Sequence, residues 1–280
     1  MTNPMVAAVA YDLLRQAVAR RWIAALGIAI TLALVMTGLF MRLDVMDGAL
    51  AATRFFGVTF GRDVVAVDVA LRPVFSAVSY LIVYGFSAFL ILATADYAPS
   101  LLIPGRIEHL LALPVRRWEL LAGTYVGVCA IAAMAALYSA GGMAIVLGAK
   151  TGVWTLRPLF SGLLGIVGFA GIYAVMLTSA VVFRSAALSA AAGAFFYVCS
   201  IVAGYRDAIA EAINQGWART TFRILSGLVP RLSSLAEQSA HVASSEALNF
   251  AVLGSVVAAF VLFTAGVLAI AVWVFERKDY

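Results

Sequence analysis

The chain has 280 residues, 64% of them hydrophobic and only 12% charged, against about 25% charged in soluble domains, which excludes a water-soluble globular body. A mean hydropathy of +1.02 and apolar runs of about 20 residues fit helices that cross a bilayer, without the short alternating segments of a membrane barrel. The net charge of +5 comes from cations scattered among the apolar runs, so membrane-flanking arginines explain it and a nucleic-acid-binding patch does not.

The first predicted element is residues 5–20, MVAAVAYDLLRQAVAR. Val6, Val9, Ala10, Leu13, Leu14 and Ala17 share one helical face, while Arg15, Gln16 and Arg20 mark the other, which predicts an interfacial amphipathic helix. No small-residue cleavage site follows this lead, so it does not read as a cleavable signal. Arg20, Arg21 and Trp22 anchor a first span over about 22–40. Residues 41–73 form a long mixed-charge segment with Gly48, Gly57 and Gly61. A second span over about 74–97 starts after Pro73, and a third covers about 119–148. Residues 159–204 are too long for one crossing at ~1.5 Å per residue. Arg184 and Ser185 break that run near its middle, which predicts spans over about 159–183 and 186–204 joined by a tight turn. In residues 205–248 the helical pattern is interrupted at Pro230, and Ser234 to Glu237 reads as a capping box. Short helices lying at, or dipping into, the outer membrane face are expected from these long segments. The sixth span covers about 250–275.

Six spans place both termini on one side. If that side is cytoplasmic, the inner segments carry nine of the 19 Lys and Arg residues (Arg15, Arg20, Arg21, Arg106, Arg116, Arg117, Arg184, Arg277 and Lys278) in much less chain than the outer ten. Cation density in short loops therefore favours cytoplasmic termini. The class expected is an all-α integral membrane protein, a single transmembrane domain over 1–280.

Few residues offer chemistry. Ser87, in GFSAF, has no base at hand, because His109 and His241 both lie outside the apolar runs, and helix packing explains it better than proteolysis. No His, Cys or carboxylate cluster has metal-ligand spacing, Cys129 and Cys199 form no CxxC, and no GxxxxGK[ST] motif is present. Asp96, near the inner end of the second span, is a candidate gating residue or an interfacial cap. Arg184 reads as a charge at the cytoplasmic interface. This scarcity of intramembrane acids argues against a proton- or sodium-coupled pump. Gly123 and Gly127 form a GxxxG, and Gly162, Gly165, Gly168 and Gly171 recur along the fourth span; they allow close helix approach, within one bundle or at a dimer seam.

One stretch stands apart. GRIEHLLALPVRRWELLAG, residues 105–123, is a charged interruption between two spans. Pro104 and Pro114 bound a short helix over 105–113. Ile107, Leu110 and Leu111 fall at i, i+3 and i+4 on one face, and Arg106 and His109 lie off it. A helix so short and stiff, joined to two spans, can pass force from a docked partner or lie on the surface as a connector with no partner.

These residues resemble the cytoplasmic signature of type-2 ABC transporter permeases of the exporter branch. Gly105, Glu108, Leu110, Leu111, Pro114, Val115, Arg117, Glu119, Leu120, Leu121 and Gly123 match it, and the six-span outline is similar along the whole chain. Departures are the apolar stretch LLIPG, where an acid commonly precedes the glycine, and Thr124, where a lysine often stands. The resemblance implies that two permease copies pair in the bilayer, as a homodimer or heterodimer, over two separate cytoplasmic ABC ATPase subunits. ATP and magnesium would then belong to those partners, and this chain would bind no cofactor or metal and catalyse nothing itself. Leu110 and Leu111 would make the apolar contact with the ATPase, Arg106, Glu108 and His109 the polar ones, and Arg117 and Glu119 would fix the root of the third span. The location implied is a bacterial or archaeal inner membrane. A mechanical transmitter acting on an outer-face or membrane partner, and a scaffold without an ATPase, are the alternatives.

Overall fold

A computed structural model describes residues 4–19, 21–46, 49–55, 58–60, 65–66, 72–103, 105, 107–108, 115–152, 154–213, 216–244 and 249–278. In chain order the helices are α1 (Pro4–Ala19), α2 (Arg21–Phe40), α3 (Arg72–Leu101), α4 (Arg117–Thr151), α5 (Arg157–Phe183), α6 (Ala186–Val202), α7 (Arg206–Ala212), α8 (Gly216–Leu228), α9 (Leu232–Ser244) and α10 (Phe250–Glu276). Five helical stretches are long and apolar enough to cross a membrane: α3, α4, α5, α10 and the run Ala186–Ala212 that α6 and α7 form together. They match the predicted second to sixth spans to within a few residues at most ends. The predicted span 22–40 is α2, in which the apolar stretch Ala24–Leu39 is shorter than the other five.

Local chemistry sets most helix ends. Asn249 accepts from the Ala251 and Val252 amides and opens α10. Ser185 Oγ accepts from the Leu188 amide and opens α6, and Pro158 sits in the first turn of α5; both are ordinary helix starts. The turn between α5 and α6 is only Arg184 and Ser185, as the charge break predicts. Arg184 adopts φ 54° there, the left-handed conformation more often given to glycine at a helix end. α3 is irregular: one π-helical stretch covers Leu81–Phe86, and a break at Ala95–Asp96 precedes the final turn Tyr97–Leu101.

α5 is the centre of the bundle and touches α3, α4, α6, α9 and α10. Phe169, Ile172, Tyr173, Met176 and Leu177 on it are all buried. Its glycines serve different neighbours. A Cβ at Gly162 would meet Ala140 at 3.2 Å, one at Gly168 would meet Leu232 at 2.8 Å, and one at Gly171 would meet Phe260 at 3.1 Å. The stripe therefore packs one bundle, and no dimer seam is needed to explain it. The GxxxG of α4 is likewise occupied within the chain. A Cβ at Gly123 would lie 2.5 Å from Val9 Cβ, and one at Gly127 would lie 3.3 Å from Ala10 Cα. The amphipathic helix expected at an interface thus docks α1 along the first turns of α4, with Ala10, Leu13 and Ala17 buried.

Two parts of the chain differ from expectation. The described residues between 41 and 66 form an antiparallel sheet, in which β1 (Met41–Met46), β3 (Val58–Phe60) and β4 (Val65–Ala66) all pair with β2 (Ala49–Phe55). MRLDV alternates apolar with charged residues, which is the period of a strand and not of a helix. The all-helical class holds for the membrane-length part only. The second difference is the capping box at Ser234–Glu237. α9 already opens at Leu232, because the acceptor for its first amide comes from another helix: Ser200 Oγ accepts from the Leu232 amide at 3.2 Å and donates to the Pro230 carbonyl. α9 is also no surface helix. Leu232, Leu235, Ala236, Ser239, Ala240 and Ala243 are buried against α3 and α5.

Candidate functional site

The candidate residues lie at the end of the bundle where α3 and α5 finish and α4 begins. Leu102, Leu120, Leu121 and Leu177 line one narrow gap there, so the end of α3, the start of α4 and the last turns of α5 are level with one another. Of the proposed coupling residues, Gly105 and Glu108 are described, whereas Arg106, His109, Leu110, Leu111 and Pro114 lie outside the described residues.

Gly105 turns the chain out of α3. Its φ of 85° lies in the region open to glycine at little cost. Two residues on, Ile107 points back into the core, 2% exposed, and its amide donates to the Ile103 carbonyl at 3.1 Å. Glu108 faces outward. The segment after α3 is therefore anchored by one apolar side chain while the next residue is free to meet another molecule.

The root of α4 is held twice. Glu119 is buried in the first turn, and its Oε2 accepts from the Arg116 amide at 2.8 Å. A carboxylate there satisfies an amide left open by the helix start and suits the positive end of the helix dipole. Arg117 reaches across the bundle, where Nη1 donates to the carbonyls of Phe275 at 3.3 Å, Glu276 at 3.2 Å and Lys278 at 2.6 Å. These carbonyls stand at and just past the end of α10, where a cation is favoured; that of Phe275 also accepts from the Lys278 amide at 3.4 Å. Lys278 continues the chain of contacts: its Nζ donates to the carbonyls of Val181 at 2.9 Å and Val182 at 2.8 Å, at the end of α5. Desolvation, and then the positive Arg184 beside it, hold the Lys278 ammonium below the ordinary lysine range. Arg277 lies over the Trp273 ring, 4.0 Å from its centroid.

The start of α4 and the ends of α5 and α10 are thus tied by two cations to five carbonyl oxygens. The sequence reading placed Arg117 and Glu119 at this root but missed Lys278. The signal was the basic ERK segment just past the last span, which suits the negative end of a helix. Beside the network is an open depression of about 580 Å³ lined by Val115, Arg116, Arg117, Trp118 and Glu276.

Of the other candidates, Asp96 lies outside this network and Arg184 borders it beside Lys278. Asp96 is exposed at the N-cap position of the last turn of α3, without capping it through its side chain. Arg184 is exposed at the α5–α6 turn, and its amide donates to the Ala180 carbonyl at 2.8 Å. Its left-handed backbone costs a side-chain-bearing residue about 1 kcal/mol. Arg184→Gly is therefore expected to raise unfolding stability in detergent by about that amount. A fall in stability would show that the guanidinium makes a contact worth more than the backbone strain.

Among the described residues, no three of His, Cys, Asp and Glu stand close enough to hold a metal, Cys129 and Cys199 are free thiols, and Ser87 is fully buried with its hydroxyl unpartnered. No protein-family model matches the chain, and no curated protein matches it in sequence.

Proposed function

We propose that this chain is the membrane-spanning permease subunit of an ATP-binding-cassette exporter, with six spans and both termini in the cytoplasm. A separate ATPase subunit docks on residues 105–113, and a second permease copy completes the path. The carrying observation is the way the 105–119 segment is mounted. It leaves α3 through the Gly105 turn, is anchored inward by Ile107 and rejoins the bundle at a root fixed by Glu119 and Arg117. A partner pushing on the short helix would therefore move α3 and α4 and, through Arg117 and Lys278, the ends of α5 and α10.

The course of α2 supports counting it as the first span. Leu34 meets the site of a Cβ at Gly142, and Val146 meets that of Gly38, while Thr31 and Tyr138 hydroxyls are 2.8 Å apart. Both sequences ascend together, so α2 runs parallel to α4, as a first and a third span must. Its 20 residues reach about 30 Å, the depth of a hydrocarbon core. The dense cations at the α3–α4 and α5–α6 turns and after α10 favour that side as the cytoplasmic one.

Leu110→Asp together with Leu111→Asp is expected to abolish co-purification of the chain with its ATPase subunit from native membrane, while the chain alone keeps its unfolding temperature. Undiminished co-purification would sink the docking assignment. Absence of any ATPase from wild-type pull-downs, identified by mass spectrometry, would sink the transporter reading itself.

A further inference from the structure

The strongest feature outside the proposed coupling region is α8, Gly216–Leu228, which buries no residue of its own. Its large apolar side chains are Trp217, Ile224, Leu225 and Leu228, exposed by 74%, 62%, 59% and 69%, and Phe222, which is half-buried and turned about 140° from Trp217. At 100° per residue Trp217, Ile224 and Leu228 fall within about 40° of one another, and Leu225 flanks them. On the opposite side lie Arg223, exposed, and Arg219 and Ser226, half-buried, with the Arg219 Nε covered. Such a stripe needs a cover, and its place in the fold identifies one.

The depth of α8 is fixed from its C-terminal side. α6 starts after Ser185, next to the cations Arg184 and Lys278. Ser200 is fifteen residues further, about 22 Å, and Gly204 is about 28 Å away. The far edge of a hydrocarbon core about 30 Å thick therefore falls at Gly204 and Tyr205. The chain leaving α8 is fastened at this level twice: Ser200 Oγ bonds the Pro230 carbonyl and the Leu232 amide, and Gly204 packs so closely on Ser233 that a Cβ would overlap its hydroxyl. Leu228 is two residues before Pro230. The apolar stripe thus ends level with the edge of the core, not out in water. At the other end, only residues 213–215 separate α8 from the membrane-length run Ala186–Ala212.

We propose that α8 lies in the headgroup–acyl boundary of the leaflet away from Arg184, and that lipid is its partner. Trp217, Ile224, Leu225 and Leu228 face acyl chains, and Arg219 and Arg223 face headgroup phosphates. An amphipathic helix with an aromatic and aliphatic face and a basic face is built for this boundary. The proposal requires only that α6 crosses the bilayer, and is independent of any ATPase.

The test is a spin-label accessibility scan of the full chain in nanodiscs of phosphatidylcholine and phosphatidylglycerol. Cys129 and Cys199 are first replaced by Ala. Single cysteines are then placed at Trp217, Arg219, Arg223, Ile224, Leu225, Ser226 and Leu228, with Leu262→Cys on α10 as a reference. Labels at Trp217, Ile224, Leu225 and Leu228 are expected to favour oxygen over a water-soluble nickel reagent by severalfold, as Leu262 does, and those at Arg219, Arg223 and Ser226 to do the reverse. Equal nickel access at all seven α8 positions would show that the helix stands in water and overturn the proposal. Shielding of the four apolar positions from both reagents would show that protein, a second copy or another chain, covers the face, and would overturn it equally. Nickel access at Leu262 itself would show that the bundle is not in lipid and would overturn the proposal at its premise.

Discussion

Gly123→Leu is expected to release α1 from the bundle and to cost about 3 kcal/mol of unfolding stability. The obstacle is not a flexible side-chain tip. A Cβ at 123 would stand 2.5 Å from Val9 Cβ and 3.1 Å from the Val6 carbonyl oxygen, so the backbone of α1 itself must retreat. Retreat also breaks the close packing of Ala10, Leu13 and Ala17, now buried, and such packing is what holds apolar helices together where lipid is the alternative. Unfolding in mild detergent and trypsin cleavage after Arg15 both report the release. Gly254→Leu and Gly266→Leu are the controls, because nothing lies within 4 Å of a Cβ at either, and each is expected to change stability by less than about 0.5 kcal/mol. Wild-type unfolding and wild-type cleavage of the Gly123→Leu chain would rule out the packing of α1 described above.

The second large effect concerns Arg117. Arg117→Ala removes the donor to three carbonyls at the end of α10. Hydrogen bonds to a charged group contribute about 1.5–3 kcal/mol, and this side chain is partly exposed, so a loss of about 2–3 kcal/mol is expected for the set. Arg117→Lys keeps the charge on a shorter reach and should recover part of it. The informative readout is local. Amide exchange over residues 275–278 is expected to speed up in Arg117→Ala, while exchange in the centre of α5, around Phe169 to Tyr173, stays at the wild-type rate. Slow exchange retained at the end of α10 would mean that Lys278 alone holds that end, and that the coupling root does not reach α10 through Arg117.

These two residues illustrate how far the sequence could be read. Gly123 and Gly127 are visible as a GxxxG, and the spacing alone says that another helix comes close. It does not say which one. The partner is α1, whose amphipathic pattern was equally compatible with lying on a membrane surface, because a face of Val, Ala and Leu packs against lipid or against glycines with similar ease. Arg117 likewise reads as a flanking cation. Its acceptors are backbone carbonyls about 160 residues away in sequence, and backbone groups carry no sequence signature. Leu110 and Leu111, proposed above for coupling, were legible only as one apolar face and as part of a motif resemblance. Ile107, their companion on that face, proved to be an inward anchor.

Other misreadings have a physical cause as well. The Ser234–Glu237 box is a local pattern, but α9 opens two residues earlier because Ser200 on α6 supplies the cap from outside. The strands between 41 and 66 were hidden by the greasy background: the alternation in β1 is short, and β2, ALAATRF, shows no regular apolar–polar alternation.

What the sequence determined by itself was the membrane class, the positions of the long helices and the Arg184–Ser185 turn. These follow from quantities local to the chain: a helix rises about 1.5 Å per residue, a hydrocarbon core is about 30 Å deep, and charges stop at its edge. What only the tertiary structure decided was which surfaces meet. The use of each glycine on α5, the burial of α9, the docking of α1 and the tying of three helix ends by Arg117 and Lys278 all depend on close approach between distant segments. Between apolar helices the hydrophobic pattern looks the same on every side, so only shape and open backbone groups choose the partner.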